Sequence, residues 1–258
     1  MQRINKPEII LALDVDTLEK AKDLVDKLCS KIKKFKIGSQ LFTACGPEVV
    51  KMVGERGGKV FLDLKFHDIP HTVYSSIISG TGTGSTACII PHPTDIGGEI
   101  KDVITFPVFM MTVHIKGGRQ MLENAAKGAA EKAKELGIEK PFVVGVTRLT
   151  SDEYNVDTLT EVLQAAQLAK DSGLDGVVCS ALEAAEVRKA FYGKDFIIVT
   201  PGIRQDKTNA DDQKRTATVK EAIKAGSDFL VIGRPILEAI DPIAKTEELL
   251  GELSRLRR

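Results

Sequence analysis

Short apolar runs alternate with segments of helical periodicity along most of the chain. The runs are almost continuously hydrophobic, as expected of strands buried on both faces of a parallel sheet. Strands are predicted at residues 9–15, 35–38, 60–66, 108–114, 142–147, 176–180, 196–201 and 229–233. Helices are predicted between and after them, at about residues 18–30, 43–56, 72–79, 118–137, 159–172, 183–190, 218–225 and 243–256.

This regular alternation predicts one closed barrel. No shift in composition marks a linker, and 258 residues is an ordinary length for a single α/β barrel. We therefore expect fold class α/β, a (β/α)8 TIM barrel that forms a single domain over residues 1–258. A doubly wound open sheet is the alternative, although it would not need eight regular units.

Residues 80–106 interrupt the alternation. The segment is rich in Gly, Thr and Pro and replaces the short connection expected between the third helix and the fourth strand. Its Gly-Thr repeats lack the Lys-Ser/Thr of a P-loop, and His92 and Asp95 alone are weak evidence for a metal. We expect an atypical, flexible insertion on the barrel face opposite the chemistry, with a role in assembly as the alternative.

The central motif lies at residues 60–70, where an apolar run ends at a proline. Side chains two apart on a strand share a face, so Asp63 and Lys65 are predicted to point the same way. Asp68 follows beyond the strand end, where the loop turns it toward the same site or across an interface. Because charges among apolar neighbours are costly unless they pair, a structural ion pair is the alternative to a catalytic site.

Polar residues at other predicted strand ends favour the catalytic interpretation. The carboxyl ends of the strands form the catalytic face of a (β/α)8 barrel, whereas solvated helix faces would scatter their charges. The residues concerned are Asp14, Lys36, Asp63, Lys65, Thr150, Ser180, Pro201, Gly233 and Arg234.

Two loops predict a phosphate site. Phosphates in such barrels often lie at the loops after the seventh and eighth strands. Here those loops contain the sequences TPGIR, ending in Arg204, and IGRP, containing Arg234, and arginine binds phosphate oxygens well. Residues 202–216, which include Gln213, are predicted to form a lid over the phosphate, with an ordinary surface loop as the alternative.

Composition and charge exclude several classes of protein. The 36 basic and 36 acidic residues give zero net charge, so no nucleic-acid or membrane-surface partner is indicated. No apolar run is long enough to span a bilayer, and the first five residues lack the apolar core of a signal peptide. No spacing of His or Cys matches a metal site, and structural hydrogen bonds explain His67 and His114 equally well. The scattered cysteines indicate a reduced, cytoplasmic protein: Cys29, Cys45, Cys88 and Cys179.

The motifs resemble those of one family along almost the whole chain, the orotidine 5'-phosphate decarboxylases of the bacterial type. They are ALDV, FKIG, FLDLKFHDIPHT, TVHIKGG, GVTRLTS, GLDGVVCSA, VTPGIR, ADDQKR and VIGRP. The Asp-x-Lys-x-x-Asp centre is shared by a wider group of barrels, whereas DLKFHDIP together with TPGIR and IGRP is more specific. The resemblance implies a homodimer that converts orotidine 5'-monophosphate to uridine 5'-monophosphate near the subunit interface, without metal or organic cofactor.

The resemblance also implies roles for individual residues. Lys65 would donate a proton to C6 of the pyrimidine, Asp63 would lie beside the departing carboxylate, and Lys36 would complete the charge chain and reach the ribose. Asp14 would hold ribose hydroxyls. Three residues would serve the neighbouring subunit's site: Asp68, Ile69 and Thr72. The nucleotide, its phosphate and the lid would involve Thr150, Ser180, Pro201, Arg204, Gln213, Gly233 and Arg234.

Two other functions fit the same barrel. A sugar-phosphate decarboxylase or aldolase of the same group would stabilise an enediolate with Mg²⁺ and would need a metal-binding acid near the second strand, where this chain has KIGS at residues 36–39. A non-catalytic nucleotide-binding barrel is the third hypothesis, and the intact Asp63, Lys65 and Asp68 argue against it.

Overall fold

The computed structural model describes residues 6–89, 102–105, 107–149, 154–192, 195–204 and 215–256. Eight barrel strands are β1 (Glu8–Ala12), β2 (Lys34–Gly38), β3 (Lys59–Phe66), β6 (Val108–His114), β7 (Phe142–Val146), β8 (Gly176–Val178), β9 (Ile197–Thr200) and β10 (Phe229–Ile232). They are parallel and close in the order β1-β10-β9-β8-β7-β6-β3-β2. The predicted single-domain (β/α)8 barrel is confirmed, and the open-sheet alternative is wrong.

The α-helices of the described residues are α1 (Leu18–Leu28), α2 (Ser39–Cys45), α3 (Glu48–Glu55), α4 (Pro70–Gly82), α5 (Gly118–Leu136), α6 (Thr158–Asp171), α7 (Ala181–Ala190), α8 (Val219–Lys224), α9 (Arg234–Leu237) and α10 (Pro242–Arg255), and a 3-10 turn (Ile115–Gly117) precedes α5. The predicted second helix is divided into α2 and α3, because Gly46 has a left-handed backbone (φ 60°) and Pro47 follows it. The sequence analysis missed the single-turn α9, and α4 is longer at both ends than predicted. Within the described ranges, no helix is both long and apolar enough to cross a membrane.

The continuous hydrophobicity of the strands reflects two packing layers. In β1, Ile10 and Ala12 belong to a cluster inside the barrel, whereas Ile9 and Leu11 belong to the larger cluster between the barrel and its helices. The interior cluster also contains Phe61, Met110, Val144, Ile197, Val199, Phe229 and Val231. Since both faces of each strand are apolar, the polar residues of a site have room mainly at the strand ends.

Two buried aspartates tie strands together at the amino-terminal end of the barrel. Asp175, directly before β8, accepts a hydrogen bond from the Val143 N–H at 2.8 Å. Asp228, directly before β10, accepts one from the Ile198 N–H at 2.8 Å. A basic side chain also binds each carboxylate, Lys140 the first and Arg188 the second. The same arrangement thus repeats at two strand junctions, at the end of the barrel opposite the predicted catalytic face.

The connection between α4 and β6 contains a small antiparallel sheet. Strand β4 (Thr86–Ile89) pairs with β5 (Asp102–Thr105), and Thr86 lies opposite Thr105. These strands were not predicted, because TACI and DVIT mix polar and apolar residues and form no continuous apolar run of the kind that marks the barrel strands. Residues 90–101 and 106 of the predicted insertion lie outside the described residues.

Both ends of this connection pack against α3. A Cβ at Gly84 would lie 2.7 Å from Val50 Cγ1, so the chain passes that helix in close contact. Pro107 leads into β6 against Gly54, where an added Cβ would lie 3.1 Å from the proline ring. Val50 and Gly54 are about one helical turn, or ~6 Å, apart. The small sheet is therefore anchored at neighbouring positions on one helix.

Candidate active site

A pocket at the carboxyl-terminal end of the barrel collects residues from both halves of the chain. Its apolar part includes Ala12, Phe61 and Val231 of the interior cluster. Eight predicted site residues line it: Asp14, Lys36, Asp63, Lys65, Pro201, Arg204, Gly233 and Arg234. These positions are far apart in sequence and converge because the carboxyl ends of the strands meet at one face of the barrel.

Four of these residues form a chain of alternating charge. Lys36 Nζ lies 2.9 Å from Asp14 Oδ1 and 3.8 Å from Asp63 Oδ2. Lys65 Nζ lies 2.9 Å from the same Asp63 oxygen. The Asp63 side chain is 12% exposed and that of Lys65 is 37% exposed, so the carboxylate is enclosed while the ammonium group reaches the cavity. Pairing of opposite charges offsets the cost of removing them from water.

Two glycines leave room for this charge chain. A Cβ at Gly38 would lie 3.1 Å from Lys36 Nζ, and one at Gly233 would lie 3.3 Å from Asp14 Oδ2. Any side chain at either position would press on the Asp14–Lys36 pair. Gly233, predicted at the phosphate, therefore also has a steric role beside the Asp14–Lys36 pair.

The strand that carries Asp63 and Lys65 is irregular at this point. Between Leu62 and Phe66, three residues of β3 lie opposite a single residue of β6, Thr112. Lys65 has φ 51°, and it is the one non-glycine residue with a positive φ in the described part of the chain. This conformation is strained for a residue with a side chain. The predicted common direction of Asp63 and Lys65 is thus achieved through a bulge and not through a regular strand.

A buried hydroxyl from β6 fixes the bulge. Thr112 Oγ1 accepts the Lys65 N–H at 2.8 Å and donates to Asp63 Oδ1 at 3.0 Å. The residue has no exposed surface. Thr112 begins the motif TVHIKGG, but its role was not predicted, because a threonine in an apolar strand is unremarkable and its partners are 47 and 49 positions away.

The loop after β9, which is predicted to bind phosphate, is closed at its base. The Arg204 N–H donates to the Ala217 carbonyl at 2.8 Å, and the Ala217 N–H donates to the Gly202 carbonyl at 3.1 Å. Gly202 has φ 77°, a conformation that favours glycine. Arg204 and Arg234 line the pocket from the loops after β9 and β10, as predicted for a phosphate site. Residues 205–214, with most of the predicted lid and Gln213, lie outside the described residues.

The pocket lining also includes residues that were missed, among them Arg148, Leu149 and Cys179. Arg148 Nη1 donates to Glu161 Oε2 at 2.6 Å, which orients the guanidinium beside the pocket. Burial raises the pKa of the Cys179 thiol far above its ordinary value, so this sulfur stays protonated and is a poor nucleophile. Arg148 could have been found from sequence, because it follows the end of a predicted strand.

Asp68, Ile69 and Thr72 lie outside this chain's own pocket. They belong to the exposed loop and first turn that follow β3. Asp68 Oδ1 accepts the Ile69 N–H at 2.6 Å, and Ile69 is 66% exposed. Their placement leaves them accessible to another subunit.

Ser180 has a capping role. It is buried, and its hydroxyl accepts the Leu182 N–H at 3.3 Å at the start of α7. Its neighbour Cys179, and not Ser180, lines the pocket. The predicted contact between Ser180 and the base stays a prediction. Thr150 lies outside the described residues.

A buried ion pair connects three loops around the pocket. Arg215 Nη1 lies 2.7 Å from Glu183 Oε1, with both side chains almost inaccessible. Glu183 Oε2 accepts the Ser180 N–H at 2.9 Å, and Arg215 Nη2 donates to the Leu149 carbonyl. Burial raises the pKa of the Glu183 carboxyl, and the adjacent guanidinium acts in the opposite direction. The loops after β7, β8 and β9 are thereby held together.

The histidines near the site have structural contacts. The rings of His67 and His114 stack with centroids 5.4 Å apart, and His114 Nδ1 accepts the Lys116 N–H at 3.4 Å. Such contacts were the structural alternative in the sequence analysis. Among the residues that the structure describes, no three His, Cys, Asp or Glu side chains are grouped as metal ligands.

Comparison with known proteins identifies the family. A model described as "Orotidine 5'-phosphate decarboxylase / HUMPS family" matches residues 7–249. The chain belongs to this family. Its membership confirms the resemblance inferred from the sequence motifs.

Relatives of known name extend this result. An orotidine 5'-phosphate decarboxylase from Syntrophotalea carbinolica is 41% identical over 257 residues, with 96% of each chain covered. The protein of the same name from Coxiella burnetii is 41% identical over 251 residues, covering 94% of this chain and 95% of the relative. The crystal structure of orotidine 5'-phosphate decarboxylase from Lactobacillus acidophilus has a TM-score of 0.75 at 33% identity and covers 96% of this chain and 99% of that chain.

These matches decide the class of protein. The predictions of an enzyme, of the carboxy-lyase class and of a role in pyrimidine biosynthesis are confirmed by relatives that match over nearly their full length.

Proposed function

We propose that this member of the family converts orotidine 5'-monophosphate to uridine 5'-monophosphate without a metal or organic cofactor, and that Lys65 donates the proton to C6. The observation that carries the proposal is the chain of alternating charges that ends in Lys65, in a pocket that also presents Arg204 and Arg234. Relatives named for this activity support the choice of substrate.

The reaction needs a fixed cation beside the reacting carbon. When the bond from C6 to the carboxylate breaks, its electron pair stays on C6 and carbon dioxide leaves. No adjacent carbonyl delocalises this carbanion, so a preorganised ammonium group lowers the barrier and then supplies the proton. Lys65 Nζ is held for that role 2.9 Å from Asp63 Oδ2. The neutral amine is reprotonated from solvent.

The neighbouring charges have separate roles. The Asp63 carboxylate lies where the substrate carboxylate enters, so their repulsion is relieved as carbon dioxide departs. Lys36 and Asp14, 2.9 Å apart, offer a donor and acceptors that suit the ribose hydroxyls.

The phosphate supplies binding energy away from C6. Arg204 and Arg234 offer planar guanidinium groups that match phosphate oxygens. Energy from this remote contact is available to close residues 202–216 over the site and exclude water. The remaining nucleotide and lid contacts are proposed, on the strength of the family motifs, for Thr150, Ser180, Pro201, Gln213 and Gly233.

We also propose a homodimer with shared sites. Asp68, Ile69 and Thr72 complete the neighbouring subunit's site in this proposal, and their exposure outside their own pocket supports it. The free thiols of Cys29, Cys45 and Cys179 support a cytoplasmic location.

The test is ultraviolet-monitored conversion of orotidine 5'-monophosphate by purified protein in excess EDTA. We expect turnover with wild type, and a loss in kcat of at least about a thousandfold in Lys65→Ala, because a preorganised charge at the reacting atom is removed. Lys59→Ala is the matched control: it lies on the same strand, exposed, at the opposite end of the barrel, and turnover should be unchanged.

Other outcomes would replace the proposal. Turnover that is lost in EDTA and restored by Mg²⁺ would favour the sugar-phosphate enzymes. Tight binding of uridine 5'-monophosphate without turnover would favour a non-catalytic nucleotide-binding barrel. Ordinary turnover in Lys65→Ala would refute the assignment of the proton donor.

A further inference from the structure

We propose that Thr112 is a positioning residue for the reaction, whose hydroxyl fixes both Asp63 and Lys65 without touching the substrate. The proposal rests on the proposed function, because it concerns the same site. It goes beyond the family resemblance: the motif TVHIKGG begins at Thr112, but the resemblance assigned that residue no role.

The hydrogen bonds of Thr112 leave its hydroxyl one orientation. A main-chain N–H only donates and an ionised carboxylate only accepts, so Oγ1 must accept from Lys65 and donate to Asp63. The two distances, 2.8 and 3.0 Å, fit this assignment. Since Thr112 is fully buried, no water competes for the hydroxyl. One atom therefore sets the position of a carboxylate oxygen and of a main-chain nitrogen.

The same hydroxyl replaces a missing strand contact. The pairing of β3 with β6 is interrupted between Leu62 and Phe66. At this gap the Lys65 N–H binds the Thr112 side chain, and Lys65 holds its left-handed φ of 51°. The backbone conformation determines where the Lys65 side chain leaves the strand. Loss of the hydroxyl removes the contact that opposes relaxation of the bulge.

The consequence falls on chemistry more than on binding. Thr112 contacts Asp63 and Lys65, which are proposed to act at the reacting carbon. Arg204 and Arg234 are proposed to bind the substrate phosphate, and they line the pocket from the other side of the barrel. Misplacement of the reacting group by ~1 Å can cost about a hundredfold in rate. A lower kcat with an unchanged KM is therefore expected when the hydroxyl is lost.

The experiment compares Thr112→Val, which keeps the shape and loses the hydroxyl, with Thr112→Ser, which keeps the hydroxyl. We expect kcat to fall about ten- to a hundredfold in the valine variant with little change in KM, and serine to restore most of the rate. Thr81→Val is the control, because Thr81 is equally buried and its hydroxyl binds the Ile77 carbonyl within α4. The Thr81→Val variant should lose stability but keep the kcat of the wild type.

A wild-type kcat in Thr112→Val, or equal losses in the valine and serine variants, would overturn the proposal. Should the valine variant not fold, Thr112→Cys takes its place, since a thiol fills a similar volume but bonds weakly, and an unchanged kcat there overturns it equally.

A substrate-free measurement separates this proposal from the proposed function. Crystal structures of the two variants report the distance from Lys65 Nζ to Asp63 Oδ2, now 2.9 Å. We expect this contact to be lost with valine and kept with serine. A contact preserved in both would overturn the positioning role, whichever substrate the wild-type enzyme uses.

Discussion

Lys65 carries both the proposed chemistry and the backbone strain of the site. Its φ of 51° would suit glycine or asparagine, yet a lysine is present where an ammonium group meets Asp63. Strained conformations of this kind cost about 1–3 kcal/mol and persist where surrounding contacts enforce them. Here the Thr112 hydroxyl provides that enforcement. Stability at this position is thus traded for the direction of one side chain.

The stability cost of the left-handed backbone can be measured with two substitutions at position 65. Both Lys65→Ala and Lys65→Gly remove the ion pair, so comparing them isolates the backbone. We expect the glycine variant to be more stable than the alanine variant by about 1 kcal/mol, because only glycine is free of strain at this φ. Urea unfolding checks this. An alanine variant as stable as the glycine variant would show that the backbone is unstrained or relaxes without cost.

Individual site residues differed in how far sequence could reveal them. Asp63 and Lys65 are two apart in one strand, so local periodicity predicted that they lie together, although a bulge and not a regular strand brings them there. Asp14, Lys36 and Arg234 required the further step that strand ends converge in a barrel. Thr112 was out of reach, because its importance depends on a bulge in a neighbouring strand that no period describes.

At the scale of elements, the repeated aspartates before β8 and β10 stabilise the barrel from the end opposite the site. Each follows a glycine with positive φ, Gly173 (78°) or Gly226 (88°), which ends a helical segment. Each then accepts a main-chain N–H from the adjacent strand and binds a basic side chain. Stability and chemistry are therefore assigned to different ends of the same strands.

This separation predicts that Asp228→Ala destabilises without impairing turnover. Its removal leaves the Ile198 N–H and the half-buried Arg188 without their carboxylate, which should cost about 3 kcal/mol. Thermal unfolding and kcat per folded molecule provide the check. Asp23→Ala, which breaks an exposed pair with Lys27, should change neither. A fall in kcat at unchanged stability would contradict the separation.

Elements that belong to the regular alternation were predictable, and short elements outside it were not. The eight barrel strands follow from apolar runs and the long helices from periodicity, and their ends differ by a few residues. The single-turn α9 escaped because one turn holds no complete helical pattern. Strands β4 and β5 escaped because they mix polar and apolar residues within the Gly-, Thr- and Pro-rich segment, whereas the equally short β9 and β10 are almost entirely apolar. The break between α2 and α3 was visible as Gly46-Pro47 but was interpreted as an interruption within one helix.

At the scale of the whole molecule, the proposed dimer predicts that two inactive variants can restore activity when their subunits are mixed. If Asp68 serves the neighbouring site, a mixture of Lys65→Ala and Asp68→Ala chains contains dimers with one intact site. Both variants should be nearly inactive alone. After subunit exchange the mixture should recover about a quarter of wild-type activity, since about half of the dimers are mixed and each has one good site.

The control pairs two defects within one pocket. In a mixture of Lys65→Ala and Asp63→Ala chains, every site lacks either Lys65 or Asp63, because both residues belong to the barrel that holds the site. No activity should therefore return. Recovery absent from both mixtures would contradict shared sites and locate the function of Asp68 within its own chain.

The small sheet of β4 and β5 has a practical consequence. The connection leaves the barrel at Gly84 and rejoins it at Pro107, and both residues contact the same part of α3. The two ends of the connection therefore lie close together. This geometry makes the connection a suitable insertion site. A reporter or binding domain whose own termini lie close together could be inserted between these two residues. Such an insertion would change the barrel only at the two junctions. The catalytic face lies at the opposite ends of the strands and would be left undisturbed.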